Sequence, residues 1–327
     1  MRNGLLGPGN EPLSPVVEPP DTGPVETRMG ADPESAGFEI PGSARGLGLW
    51  QDDIKSNLAA LAAADRQAAM KMNVAHHRLH SIDFLEYAYL QIGDDADAKA
   101  MADRAKQFHR DDLEEDLRDY YDYSVAHLPA MYSLETRRWR DTLALRAPAG
   151  IRPFAQAITD WAHAIAAEHL RDLGSARAAV DHFNAMVEET RKAKPYEVHA
   201  MQTNRDEATA WMDFVSGNSE DGLKRLRAVA ARQDAVGKGE IELPAREMVA
   251  DMLLELHRPA EALAEYEKSP QSDPKRFNGL YGAARAAEMA NEPKRAAKYY
   301  AQLLKNCAGV HSDRSKLTEA RTVVASK

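Results

Sequence analysis

Two stretches near the C-terminus, HRPAEALAEY at 257–266 and NEPKRAAKYY at 291–300, repeat one another at an offset of 34 residues. Pro259 matches Pro293, Ala262 matches Ala296, and Tyr266 matches Tyr300. Each residue type has a physical reason to recur. Proline suits the first position of a helix, where its missing N–H costs no hydrogen bond. A small alanine lets a second helix approach closely, and the tyrosine four residues on fills the groove between them. Pro274 closes the unit before the next begins. Such a period restricts the chain to a stack of helix pairs, because one pair cannot bury its apolar face alone.

Weaker copies of the same frame run upstream. Gly93 with Ala98, Ala102 and Ala105 fits it, as do Gly174 with Ala179 and Phe183, and Gly217 with Gly222 and Leu226. Trp139, after Arg137 and Arg138, marks a degenerate unit. Apolar residues follow helical spacing from Trp50, Ile54, Leu58 and Leu61 onward. This spacing predicts helices at about 50–64, 74–92, 95–107, 118–136, 139–146, 153–172, 175–192, 197–216, 219–234, 243–256, 259–269, 277–290 and 293–307. Eight of the 17 Pro and nine of the 19 Gly lie in residues 1–48, so the rest lacks the turn formers of an all-β sandwich or barrel. The predicted fold is an all-α solenoid over 47–327, a right-handed superhelix of about six helix pairs plus one orphan helix. Its 34-residue period is that of the tetratricopeptide repeat.

Residues 47–325 also resemble a group of bacterial tetratricopeptide-repeat proteins of unassigned function. The resemblance rests on LGLWQDDIKSN at 47–57, HSIDFLEYAYLQIG at 80–93, DLRDYYDY at 116–123, DMLLELHRPAEALAEYEKSP at 251–270 and RFNGLYGAARAAEMA at 276–290. It implies a lineage and a fold, not an activity. Relatives usually carry more helical repeat upstream of the LGLW turn, including His-rich helices, and some begin with an export signal. By that comparison the Trp50 helix is the second of a pair whose first helix is missing, as in a truncated or frame-altered copy of a longer array. Trp50, Ile54, Leu58 and Leu61 are then expected to face open space or a neighbouring chain. The open N-terminal end becomes a candidate surface for homo-oligomers.

Residues 1–46 contain no Lys and meet Pro or Gly every few positions, a composition expected to be disordered, as a linker or docking tail. With 42 basic and 51 acidic residues the net charge is −9, which argues against a general nucleic-acid binder. The charge is uneven: residues 93–122 carry a net −6 and residues 258–327 a net +5, read as two solvated faces, with a head-to-tail contact or a charged ligand at one end as the alternative. No apolar run approaches a membrane span and no signal pattern opens the chain, so no membrane partner and a cytoplasmic location are expected. Export is expected only if the true N-terminus lies further upstream. A single cysteine, Cys307, excludes a disulfide framework and Cys-based zinc sites.

Catalytic motifs are scarce. There is no Gly-rich phosphate loop, no GxSxG elbow and no HExxH. His76, His80 and Asp83 share one helix face, with His127 available from the next unit, so a metal-binding or metal-dependent enzymatic reading stands as the first alternative. A structural adaptor that self-associates is the second. The acidic run from His109 to Asp116 has no Gly turn and reads as the solvated start of a helix. The main expectation is non-enzymatic, cofactor-free binding of a protein or peptide segment along a concave face. In the tetratricopeptide frame, inner positions fall on His80, Asp83, Tyr87, Leu90 and Gln91, then on His127 and Met131, and on Trp161 and Glu168. They continue with Asn204, Glu207 and Trp211, and end with Asn278, Tyr281 and Arg285. Polar and aromatic residues among Ala, Leu and Val suit a groove, since burying an unpaired polar group costs about 1–3 kcal/mol. Pairing between adjacent units would account for them equally well, and Tyr87 and Trp211 are the expected ligand anchors.

Overall fold

The computed structural model describes residues 42–235, 243–269 and 274–325; the disorder expected of residues 1–41 lies outside them. Fifteen α-helices and no strand occur among the described residues. They are α1 (Gly42–Gly46), α2 (Trp50–Ala69), α3 (Ala75–Ile92), α4 (Asp95–Ala105), α5 (Glu115–Glu135), α6 (Trp139–Ala144), α7 (Pro153–His169) and α8 (Leu173–Ala193). There follow α9 (Gln202–Val215), α10 (Ser219–Gln233), α11 (Ala245–Glu255), α12 (Pro259–Lys268), α13 (Phe277–Met289), α14 (Pro293–Asn306) and α15 (Ser315–Ala325). Each helix packs on its successor, and α3, α5, α7 and α9 also touch in that order to make an inner layer.

The repeat chemistry is legible in the coordinates. Pro259 and Pro293 open α12 and α14, Ala262 and Ala296 are buried at the helix contacts, and the Tyr266 and Tyr300 rings are buried behind them. Left-handed residues end the first helix of each pair: Gly93, Arg137, Arg171, Gly217, His257 and Asn291, with Gly48 before Trp50. Helices commonly terminate this way because the turned-back amides satisfy the last carbonyls. Asp94 and Asp172 then cap α4 and α8 by accepting from the backbone N–H of Asp97 and Ser175, at 3.2 and 3.1 Å. One turn differs from expectation. Gly174 lies inside the first turn of α8, and Arg171 makes the reversal instead.

Tight approach is clearest at Gly282 of α13, where any Cβ would fall against the Tyr266 ring of α12. Gly282→Ala is expected to destabilise by about 1–3 kcal/mol through overpacking. Urea denaturation checks this, and an unchanged midpoint would mean the ring moves aside freely.

Two expectations about the ends need correction. Gly42–Gly46, placed in the disordered segment by composition, form α1, which packs on α2 and buries Arg45. The Trp50 helix is not open either: Trp50, Ile54 and Leu61 are only 3%, 7% and 2% exposed, and Leu58 alone of the four is exposed, at 43%. The helix α3 covers this stripe, and the Trp50 indole N–H donates to the Lys275 carbonyl at 2.9 Å. The apolar surface proposed for self-association is therefore largely covered within the chain.

The Trp50–Lys275 bond belongs to a wider contact between early and late helices. The Phe277 amide donates to Gln91 Oε1 at 3.0 Å, and Asn306 Nδ2 donates to the Gln91 carbonyl at 3.1 Å. Arg314, leading into α15, pairs with Asp95 of α4 at 2.7 Å. In an open solenoid each unit touches only its neighbours. Here α13 returns to α3.

Candidate functional site

The inner layer lines a cavity of about 580 Å³. Its walls come from consecutive inner helices: His80, Asp83 and Phe84 of α3; Tyr120, Tyr123, His127 and Met131 of α5; Phe154, Ile158 and Trp161 of α7; Asn204 and Glu207 of α9. Seven expected inner-face residues therefore meet in one place: His80, Asp83, His127, Met131, Trp161, Asn204 and Glu207. Arg45, Phe183, Gln233 and Leu243 complete the wall from outside the inner layer. Such a volume, mostly apolar with a few convergent polar groups, is that of a ligand pocket.

Aromatic rings are arranged in rows along the first two helices. The His76 and His80 rings stack at 6.1 Å, and His80 meets Phe84 at 4.4 Å. On α5, Tyr120 and Tyr123 lie 6.3 Å apart, and Tyr123 stacks on His127 at 4.6 Å. Helical spacing of three and four residues produces these rows directly. Arg45 crosses the end of the α3 row, with its guanidinium 5.1 Å from the Phe84 ring centroid and 4.2 Å from that of Tyr87.

Electrostatics differ between the two ends. Burial, with the charges of His76, His77 and Arg45, lowers the His80 pKa and keeps its imidazole neutral at pH 7. His127 Nε2 stands 3.9 Å from Asp83 Oδ1, too far for a hydrogen bond. At the α9 end the Glu207 carboxyl is 1% exposed and accepts from Gln233 Nε2 at 3.2 Å. Gln233 is itself oriented by the Ala245 amide, which donates to its Oε1 at 2.8 Å. Burial pushes Glu207 up to about 8, against the hydrogen bonds from Gln233 and Trp161.

Among the described residues His76, His80 and Asp83 are not brought together as a set of metal ligands. Among the described residues no three His, Cys, Asp or Glu side chains converge on a point where a cation could sit. A metal site needs three or four such ligands at bonding distance. His76 and His77 are exposed, and the His76 ring is engaged by Tyr120 at 5.0 Å.

The other expected groove residues sit elsewhere. Tyr87 is packed against Trp50 at 5.7 Å and receives a hydrogen bond from Arg276. Gln91 is engaged by Phe277 and Asn306, as above. Glu168 is buried with no hydrogen-bond partner on either oxygen among the described residues, and burial raises its pKa well above the usual carboxylate range. Trp211 is buried between His169 and Phe214. Asn278 donates to the Glu135 carboxylate at 2.9 Å and accepts from Lys316 at 2.7 Å. Tyr281 donates to Glu319 at 2.6 Å, and Arg285 pairs with Glu319 at 3.1 Å, so α15 covers the last inner face. Tyr87, Gln91, Asn278, Tyr281 and Arg285 thus pair between helices, whereas Glu168 does not.

Sequence reasoning missed Arg45, Phe154, Phe183 and Gln233. A Pro/Gly-rich neighbourhood hid Arg45, and Phe183 and Gln233 come from second helices that the inner-face frame leaves out. No protein-family model matches the chain, and no curated protein matches it.

Proposed function

We propose that the chain is a non-enzymatic binding protein of the tetratricopeptide-repeat kind. Its inner layer takes a short segment of a protein or peptide partner in the cavity between α3 and α9. The observation that carries this reading is the convergence of residues from four successive first helices, picked by repeat position, on one cavity wall. Asn204 supports it further. Its side chain lines the cavity and makes no hydrogen bond among the described residues, which leaves both its donors and its acceptor for a peptide group. No helix of the described residues is long and apolar enough to cross a membrane.

Panning the full chain against a random linear-peptide display library tests the reading. Enrichment of a shared motif is expected, and the selected peptide should bind Asn204→Ala and Phe154→Ala at least about tenfold more weakly than wild type, as anchor contacts do. An unenriched library, or a selected peptide indifferent to both substitutions, would remove the proposal.

A further inference from the structure

Among the charged groups on the cavity wall, Glu207 is set apart. Arg45, Asp83, His80 and His127 belong to α1, α3 and α5, whereas Glu207 faces the cavity from α9, at the other end of the inner row. A carboxylate has about four acceptor sites, and the Glu207 group, 1% exposed, accepts from Gln233 and is approached by the Trp161 indole N–H, which leaves acceptor capacity toward the cavity. The nearby cation is already engaged, since Arg232 pairs with Asp206 at 2.6 Å. Trp161 of α7 adjoins the Glu207 carboxyl, and the same cavity wall carries Phe154 of α7 and Phe183 of α8. Ring faces attract cations, and a buried carboxylate is stabilised by a counter-charge.

The geometry points to an alkylammonium group as the head this cavity takes, held by the Glu207 carboxylate with its hydrocarbon stem among Trp161, Phe154 and Phe183. The inference rests on reading the cavity as a binding site and names the chemistry of what enters it. A lysine side chain in a partner segment and a free alkyl amine share that chemistry. The charge balance is simple. The ammonium enters protonated, the Glu207 carboxyl gives its proton to solvent, and one ion pair forms in place of one neutral acid.

The titratable, charged and aromatic groups around Glu207 come from several helices. They are Asp206 beside it, Arg232 and Gln233 of α10, Trp161 of α7 and Phe183 of α8, with Tyr123 and His127 of α5 on the same cavity wall.

Calorimetric titration of the full chain with n-butylammonium, N-acetyl-lysine methylamide and N-acetyl-norleucine methylamide tests the inference. The lysine derivative is expected to bind at least about tenfold more tightly than its uncharged norleucine analogue. Binding should release a proton and tighten from pH 6 to 8, by up to about tenfold per unit while the carboxyl is protonated in the free protein. Glu207→Gln keeps the shape of the neutral acid and its Gln233 contact, so it should fold normally and lose both the lysine binding and the proton release. Glu207→Asp, which withdraws the carboxylate, should weaken binding while keeping its pH dependence. Selective binding of the lysine derivative would identify a partner's lysine as the ligand. Equal binding of n-butylammonium would identify a free amine. Absence of binding by either, parity with norleucine, or full binding by Glu207→Gln overturns the inference. A selected peptide that still depends on Asn204 would then leave the peptide-binding function standing without it.

Discussion

Replacing Arg276 by alanine is expected to lower folding stability by about 3–5 kcal/mol, the cost of breaking a buried charge pair. Arg276 precedes α13, and its guanidinium has no exposed surface. It donates to the Glu135 carboxylate of α5, to Glu247 of α11 at 2.9 Å, and to the Tyr87 hydroxyl of α3. One side chain therefore joins four helices that are far apart in sequence. Burial pushes the Glu247 carboxyl up to about 7; the Arg276 charge pulls it down, and the Glu135 charge adds to the rise. Removing the guanidinium leaves two buried acids close together without the cation that pairs with both. Neutralising those acids at the same time should recover much of the loss. The triple variant Arg276→Met, Glu135→Gln, Glu247→Gln is expected to be markedly more stable than Arg276→Ala. Urea unfolding of the three proteins measures this. A single substitution costing less than about 1 kcal/mol, within the range of an exposed ion pair, would mean that Arg276 does not hold the early and late helices together.

This cluster shows where the repeat pattern stops carrying information. Helix positions and turns follow from local rules, and those rules are visible in the sequence: proline at Pro259 and Pro293, αL-compatible residues at Gly93, Gly217 and Asn291, apolar residues at helical spacing. The inner face of each unit is legible for the same reason, since a residue's place in the 34-residue frame sets the direction of its side chain. What covers that face is a tertiary matter. For α3 the cover changes along the helix. His80 and Asp83 open onto the cavity, but Tyr87 and Gln91, two turns later on the same stripe, meet the segment that leads into α13. Nothing in the spacing of His80, Asp83, Tyr87 and Gln91 signals that change. The partner residues lie about 190 positions away. Composition failed in a different way at Arg45. The Pro and Gly content around it describes an average over 46 residues, whereas five of them pack onto α2 and bring one guanidinium to the aromatic row of α3.

Truncation of Trp211 should separate folding from binding. Its indole is 1% exposed and meets Phe214 edge-on at 5.6 Å and His169 at 4.3 Å, while His169 stacks on Trp139 at 4.2 Å. Burial lowers the His169 pKa to about 4, so this stack is uncharged at neutral pH and behaves as core. Trp211→Ala is expected to cost about 3–5 kcal/mol, from lost transfer energy and the cavity left behind. Tyr87→Ala should cost a comparable amount, because its ring is 2% exposed and its hydroxyl serves Arg276. Neither residue lines the cavity between α3 and α9. Peptides selected on the wild-type chain should therefore bind the folded fraction of either variant with nearly unchanged affinity, whereas Phe154→Ala weakens binding and leaves the melting temperature close to wild type. Thermal melts paired with titrations at a temperature where each variant is folded read both quantities on the same samples. The opposite pattern, a small shift in melting with a large loss of affinity, would make Tyr87 and Trp211 the ligand anchors suggested by their repeat positions. The functional surface would then extend along the whole inner layer, beyond the α3–α9 cavity.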